Sequence, residues 1–185
     1  RRAGARLRTD SKTRGGGAML YLKEANMEDA AKEYAFVSEL PQCENGFTNE
    51  CPGVSEEEFT SRVLPRMIAF ARGEGLPAGY VPETSLFLWE DGEIVGLFRV
   101  RHALTEWLRK GAGHIGYSIA RGSRGRGLAT RGLALALDFA RSVVREDEIY
   151  MSVNKDNAAS LRVQQKNGAY IHHSDDKQHY TRIKL

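Results

Sequence analysis

The chain has 185 residues, enough for one domain with a substantial core and too few for two comfortable ones. An apolar fraction of 41% and a charged fraction of 28% set aside wholesale disorder and fibrous repeats, and no apolar run approaches the ~20 residues of a membrane span. The net charge of +3 is unevenly divided: residues 1–18 hold six Lys/Arg and one Asp, leaving 21 cations against 23 acids in 19–185.

The first segment, Arg1 to Ala18, lacks apolar periodicity and ends in Gly15-Gly16-Gly17, the composition of a flexible arm. It reads as a non-native extension ahead of a start at Met19, with a nucleic-acid-binding arm as the alternative. The domain is therefore expected over 19–185. With no signal peptide visible, a cytoplasmic protein outside the membrane is expected.

Residues 20–25 suit a first strand, and Asn26 with Asp29 offers an N-cap for a helix to about Leu40. The stretch 41–54 reads as loop. It holds Cys43 and Cys51, which lack His or Cys neighbours at ligand spacing, so free thiols and no metal are expected. Ser55 to Glu58 resembles a capping box before a helix carrying Phe59, Val63, Met67 and Phe70, with a kink expected at Pro65. The apolar runs 85–89 and 94–100 flank Asp91-Gly92, a favoured type I′ turn pair, and predict a hairpin. A short helical piece over 103–109 leads to a strand at 114–119. Then come a glycine- and arginine-rich loop, a helix over 127–143, a strand at 149–153 and a helix over 157–167 closed by Gly168. Residues 169–173 and 179–185 predict a final hairpin. The order implies an α/β sandwich with a mixed sheet and about four helices, the strands at 114–119 and 149–153 forming a parallel pair across a crossover helix.

The segment from Ile119 to Thr130 carries the most chemistry. A strand runs through small residues into a helix N-terminus, whose unpaired N–H groups and dipole attract phosphate. Gly122, Gly125 and Gly127 allow close backbone approach to an anion, and Arg121, Arg124 and Arg126 add positive charge. The absence of Gly-Lys-Ser/Thr excludes a P-loop, and the glycine spacing excludes a Rossmann fingerprint. On these residues alone the ligand is a phosphate-containing molecule, or the segment is merely a turn.

Arg124-x-x-Gly127-x-Ala129 resembles the pyrophosphate motif of the GNAT superfamily of acetyl-CoA-dependent N-acetyltransferases. The run Asn157-Ala158-Ala159-Ser160 through Lys166-Asn167-Gly168 resembles that superfamily's next motif, correctly ordered after the following strand. His102, Gly113 to Tyr117 and Asp156-Asn157 resemble a bacterial branch of acetyltransferases known by prediction only. The resemblance covers roughly 20–185 in element order, with its motifs in 114–170.

The resemblance implies a mostly antiparallel sheet in which the parallel pair is splayed, with acetyl-CoA as cosubstrate and its pantetheine inserted between Tyr117–Ala120 and Met151–Asn154. Ser118, Ile119 and Ala120 would meet pantetheine and the acetyl group, Ile119 as the oxyanion-side amide. Arg124, Gly125, Arg126, Gly127, Leu128, Ala129 and Thr130 would hold the pyrophosphate, and Asn157 and Ser160 would reach pantetheine or the sulfur. Direct attack by an amine is implied; an alkylamine of pKa about 10.4 is only about one part in a thousand neutral at pH 7, so a base or desolvated proton path is needed. Candidates are His114, facing His102 across neighbouring strands, and Glu106 over the substrate mouth. Many relatives protonate the leaving thiolate with a tyrosine on the last helix, a position that is Gln164 here; Ser160, one turn into the helix, is the catalytic candidate that would hydrogen-bond the sulfur, the alternative being an ordinary first-turn serine. Tyr117 lines the site or fills the core, and Trp89 and Trp107 are read as packing residues. The amine acceptor is unspecified, a homodimer through edge strands of the C-terminal hairpin is plausible on pattern, and a non-catalytic acyl-CoA sensor is the alternative function.

Overall fold

The computed structural model describes residues 19–185; the arm expected over 1–18 lies outside the described residues. Strand β1 (Leu20–Glu24) is followed two residues on by Asn26, whose Oδ1 accepts the N–H groups of Glu28 and Asp29 at 3.0 Å each. This cap starts a 3-10 turn that runs into α1 (Ala30–Glu39). The stretch expected as loop contains a miniature hairpin, β2 (Cys43–Glu44) and β3 (Phe47–Thr48), turned by Asn45 and Gly46 at φ 51° and 86°. An Asn-Gly pair is the preferred chemistry for that turn, and it stood in the sequence unread.

Ser55 Oγ accepts the Glu58 N–H at 3.1 Å and caps α2 (Glu56–Glu58), which continues through a π turn at Phe59–Val63 into α3 (Leu64–Ala71). Pro65 therefore sits inside a continuous helical run, and the register change that makes room for its ring and missing N–H falls just before it, as the π turn. β4 (Glu83–Glu90) and β5 (Glu93–Arg101) join across Asp91-Gly92, both at positive φ, as the turn pair requires. Next come α4 (Glu106–Lys110), β6 (Ile115–Ile119), a 3-10 turn at Arg121–Ser123, α5 (Leu128–Val143), β7 (Glu148–Asn154), α6 (Ala158–Lys166), β8 (Tyr170–Ser174) and β9 (Gln178–Lys184). The described residues thus hold five helical stretches, α4 being the short piece expected near 103–109.

Two antiparallel sheets result, ordered β1-β4-β5-β6 and β7-β9-β8. Leu86 and Leu88 of β4 pack with Leu133, Ala136 and Ala140 of α5, while the alternate residues Phe87 and Trp89 pack with Phe36, Phe59 and Leu64 from α1 to α3. Both faces of the first sheet are covered, which is why β4 reads as a continuous apolar run. α5 comes close enough that a Cβ on Gly132 would stand 2.5 Å from Phe98 Cζ.

The sheets meet at a single bridge, Gly113 with Met151. There the His114 N–H donates to Tyr150 O at 2.7 Å, and the Tyr150 N–H donates back to His114 Nδ1 at 3.0 Å. That bridge is antiparallel and beyond it β6 and β7 form no ladder, so the parallel pairing read from the element order is absent and the two strands are parted.

Candidate functional site

The opening between β6 and β7 is a cleft of about 760 Å³. Its walls are β6, the loop into α5, β7 and the first turns of α6, with the β2–β3 hairpin across one side. Such a volume suits a drug-sized or larger ligand.

At one end lies the N-terminus of α5. Gly125 and Gly127 take φ of 78° and 75°, left-handed values that let the chain fold under the helix. Gly127 occupies the N-cap without a side-chain cap, so the helix starts with backbone N–H groups facing the cleft and the positive end of its dipole exposed to it. Arg124 leans over this turn, its Nε donating to Ile119 O at 3.0 Å. Its two terminal nitrogens reach the Glu44 carboxylate at 3.2 and 2.6 Å, and Arg121 approaches the same carboxylate at 3.7 Å. The two guanidinium groups hold the Glu44 carboxyl below its ordinary pKa.

Of the cofactor-binding residues expected from sequence, Ser118, Ile119, Arg124, Gly125, Gly127, Leu128, Ala129, Thr130, Asn157 and Ser160 line the cleft. Ala120 does not, and neither does Arg126, whose guanidinium turns away to Glu90 at 2.7 Å. Arg162 and Lys166 of α6, which lie inside the second motif, also line the cleft.

Midway along the cleft, Tyr117 Oη and Ser160 Oγ are 2.7 Å apart. Asn157 Oδ1 accepts the Ser160 N–H at 3.2 Å, capping α6 and fixing the serine. Tyr117 stacks on Phe98 with ring centroids 5.3 Å apart, so it packs in the core and still delivers its hydroxyl to the cleft. Burial pushes its phenol pKa up, with the hydrogen bonds to Ser160 and Gln164 pulling the other way. Gln164 is buried, and its Oε1 accepts the Thr181 hydroxyl at 2.7 Å.

His114, Glu106 and His102 lie apart from this cleft. His114 has no exposed surface; its Nδ1 is used by the Tyr150 N–H, and its Nε2 faces Glu146 at 3.4 Å. Desolvation lowers its pKa, with Glu146 opposing. On the β5 side it stands opposite Arg101, whose N–H donates to His114 O at 2.8 Å, and not opposite His102, whose Nε2 lies 2.8 Å from Thr84 Oγ1. Glu106 stands out in solvent, paired with Lys110 at 2.8 Å. Neither His114 nor Glu106 is part of the cleft wall.

The far end is built from residues that sequence reading missed. Arg99 and Arg101 of β5 line it with Phe47, Thr48 and Trp107. Trp107 is 75% exposed, against the packing role expected for it, whereas Trp89 is buried as expected. Alternation along β5 puts Arg99 and Arg101 on one face, a pattern visible in the sequence but without meaning until the hairpin and cleft are known. Among the described residues, no group of three or more His, Cys, Asp or Glu is placed to hold a metal ion, and no helix is long and apolar enough to cross a membrane.

Structural comparison gives the same fold in proteins of low sequence identity. A GNAT-family acetyltransferase from Streptococcus pneumoniae is 18% identical over 90% of this chain and 99% of its own, with a TM-score of 0.61. Mycobacterium smegmatis RimJ, solved with CoA-disulfide, is 21% identical over 90% of this chain and 82% of its own, also at 0.61. The ribosomal L7/L12 alpha-N-protein acetyltransferase RimL, solved with coenzyme A, is 17% identical over 90% and 94%, at 0.65. No curated protein sequence matches the chain. The acetyltransferase (GNAT) domain model matches residues 20–170, most of the molecule including both sides of the cleft, and the chain therefore belongs to the GNAT acetyltransferase family.

Proposed function

We infer that the cleft binds acetyl-CoA and that the protein moves its acetyl group to an amine. The observation that carries this reading is the uncapped N-terminus of α5 opening into a cleft between two parted strands. Phosphate oxygens suit the helix end and Arg124, and Arg162 and Lys166 supply charge for the remaining phosphate. The pantetheine suits the gap between β6 and β7, where unpaired strand edges offer backbone donors and acceptors.

The amine nitrogen bonds to the acetyl carbon, the carbon–sulfur bond breaks, and the thiolate takes a proton. Tyr117 is the donor in this reading. A phenol is protonated at neutral pH, burial pushes this one further that way, and Ser160 Oγ lies 2.7 Å from its hydroxyl. The sensor alternative rested on Gln164, and a phenol supplied from β6 answers it. No base role goes to His114 or Glu106, because neither reaches the cleft. The acceptor then enters as its neutral form, so the rate rises with pH up to the acceptor's own pKa.

Thiol release from acetyl-CoA against a panel of amines tests the reading. Tyr117→Phe is expected to lower kcat by about a hundredfold, the modest end of general-acid effects, and Ser160→Ala by less, with CoA affinity little changed. Wild-type turnover in both variants removes the proton-donor role. CoA binding without turnover of any amine replaces the enzyme by the sensor.

A further inference from the structure

The charge along the cleft is lopsided beyond what acetyl-CoA needs. Arg124, Arg162 and Lys166 lie on the walls nearest the α5 terminus, where phosphates are expected. Arg99 and Arg101 lie at the opposite end, and Glu44, committed to Arg124, is the one carboxylate among the described residues of the cleft wall. The far end therefore has no wall carboxylate to receive an ammonium group.

Both arginines are held firmly. Arg101 Nη1 donates to Gly113 O at 2.9 Å, and its Nε meets Glu83 at 3.1 Å. Arg99 Nη1 donates to Thr48 O at 2.8 Å, its Nε lies 4.0 Å from Glu83, and its guanidinium stacks 4.8 Å from the Phe47 ring. One glutamate lies behind two arginines, which leaves a net positive charge. Among the described residues, neither Nη2 has a hydrogen-bond partner. Side chains only 19% and 21% exposed have lost much of their hydration without completing their donor set. That is a preorganised fork for a planar anion.

We propose that the acceptor carries a carboxylate close to its amine, and that Arg99 and Arg101 select it by that group. The proposal rests on the acetyl-transfer reading above and narrows its substrate. Trp107 at the mouth supplies an apolar platform beside the fork. A cleft without a base also favours the α-amino group of a peptide, whose pKa of about 8 leaves roughly one molecule in ten neutral at pH 7. The carboxylate has two sources, the α-carboxylate of a free amino acid or an acidic side chain next to a peptide N-terminus.

The experiment compares kcat/KM for the C-terminally amidated peptides Ala-Asp-Ala-Ala, Ala-Ala-Ala-Ala and Ala-Lys-Ala-Ala, for free alanine and for spermidine. CoA affinity is measured on the same samples. The aspartyl peptide or alanine is expected to exceed the lysyl peptide and spermidine at least tenfold, the ratio one charge-assisted hydrogen bond supplies. Whichever of the two leads names the source. Arg99→Gln is expected to bring the peptides within about threefold of one another, and Arg99→Lys, which keeps the charge but not the fork, to restore only part of the preference, with CoA affinity and melting temperature reporting that the fold survives. Equal or better use of spermidine or the lysyl peptide overturns the proposal, as does turnover confined to uncharged amines, or CoA binding with none of these acceptors used. Failure to bind CoA would instead overturn the reading beneath it.

Discussion

Replacing Gly113 with alanine attacks the junction from which the cleft opens. The added Cβ would stand 2.1 Å from Tyr150 O, 2.5 Å from Tyr150 C and 2.9 Å from Met151 N, against an ordinary contact of 3.4 Å or more. All three atoms are backbone, so no rotamer change relieves the overlap. Gly113 also sits at φ 70°, a conformation that costs an L-residue about 1–2 kcal/mol. Moving the strands apart weakens the two hydrogen bonds between His114 and Tyr150, each contributing about 0.5–1.5 kcal/mol. Together the loss is about 2–5 kcal/mol from a domain stability of about 5–15. For this length that lowers the melting temperature by roughly 4–20 °C. Gly79→Ala is the control: its φ of 82° imposes the conformational cost, but nothing lies within 4 Å. Urea denaturation of both variants should place Gly113→Ala at least 1 kcal/mol below Gly79→Ala. Equal stabilities would refute the claim that this bridge holds the two sheets together.

Glu44 covers the guanidinium groups that phosphate would use, so Glu44→Gln should tighten CoA binding about two- to fivefold, the size of a partly exposed ion pair. Calorimetric titration measures it, and weaker binding would mean that Glu44 holds Arg124 in place rather than competing for it. Glu33 is fully buried, with Oε1 accepting the Asn26 N–H at 3.0 Å and Oε2 without a partner, and burial pushes its pKa up to about 8. A folded pKa above the unfolded value stabilises the protonated form, so stability is full below about pH 4.5, falls as pH rises toward 8, and is flat beyond. Glu33→Gln should therefore melt higher than wild type at pH 8 and match it near pH 4.5; parallel curves at both pH values would contradict the buried neutral carboxyl.

The large elements were legible because each had local punctuation. Asn26 and Ser55 cap where they were expected to, and Asp91-Gly92 turns the hairpin. The phosphate loop was legible for the same reason, as strand, glycines and helix start are contiguous in sequence. What sequence did not reveal depends on distant pairing. Glu44 meets Arg124 across 80 positions, and Tyr117 meets Ser160 across 43. The histidines misled because a base-like residue on a strand next to the site can face inward, as His114 does against Glu146. Arg126 had the right backbone position for the loop, but a free acid at Glu90 claimed its side chain.

The most direct test of the central claim is CoA affinity in wild type and Gly127→Glu. Gly127 has φ 75° and open space around its Cα, so the variant places a carboxylate at the mouth of the α5 terminus without a packing clash. The account predicts that CoA binds the wild type and that the variant loses at least tenfold in affinity, through repulsion of phosphate and strain at a left-handed position. Affinity unchanged in a folded Gly127→Glu would show that phosphate does not rest on this helix, and the acetyl-CoA assignment of the cleft would fall with it.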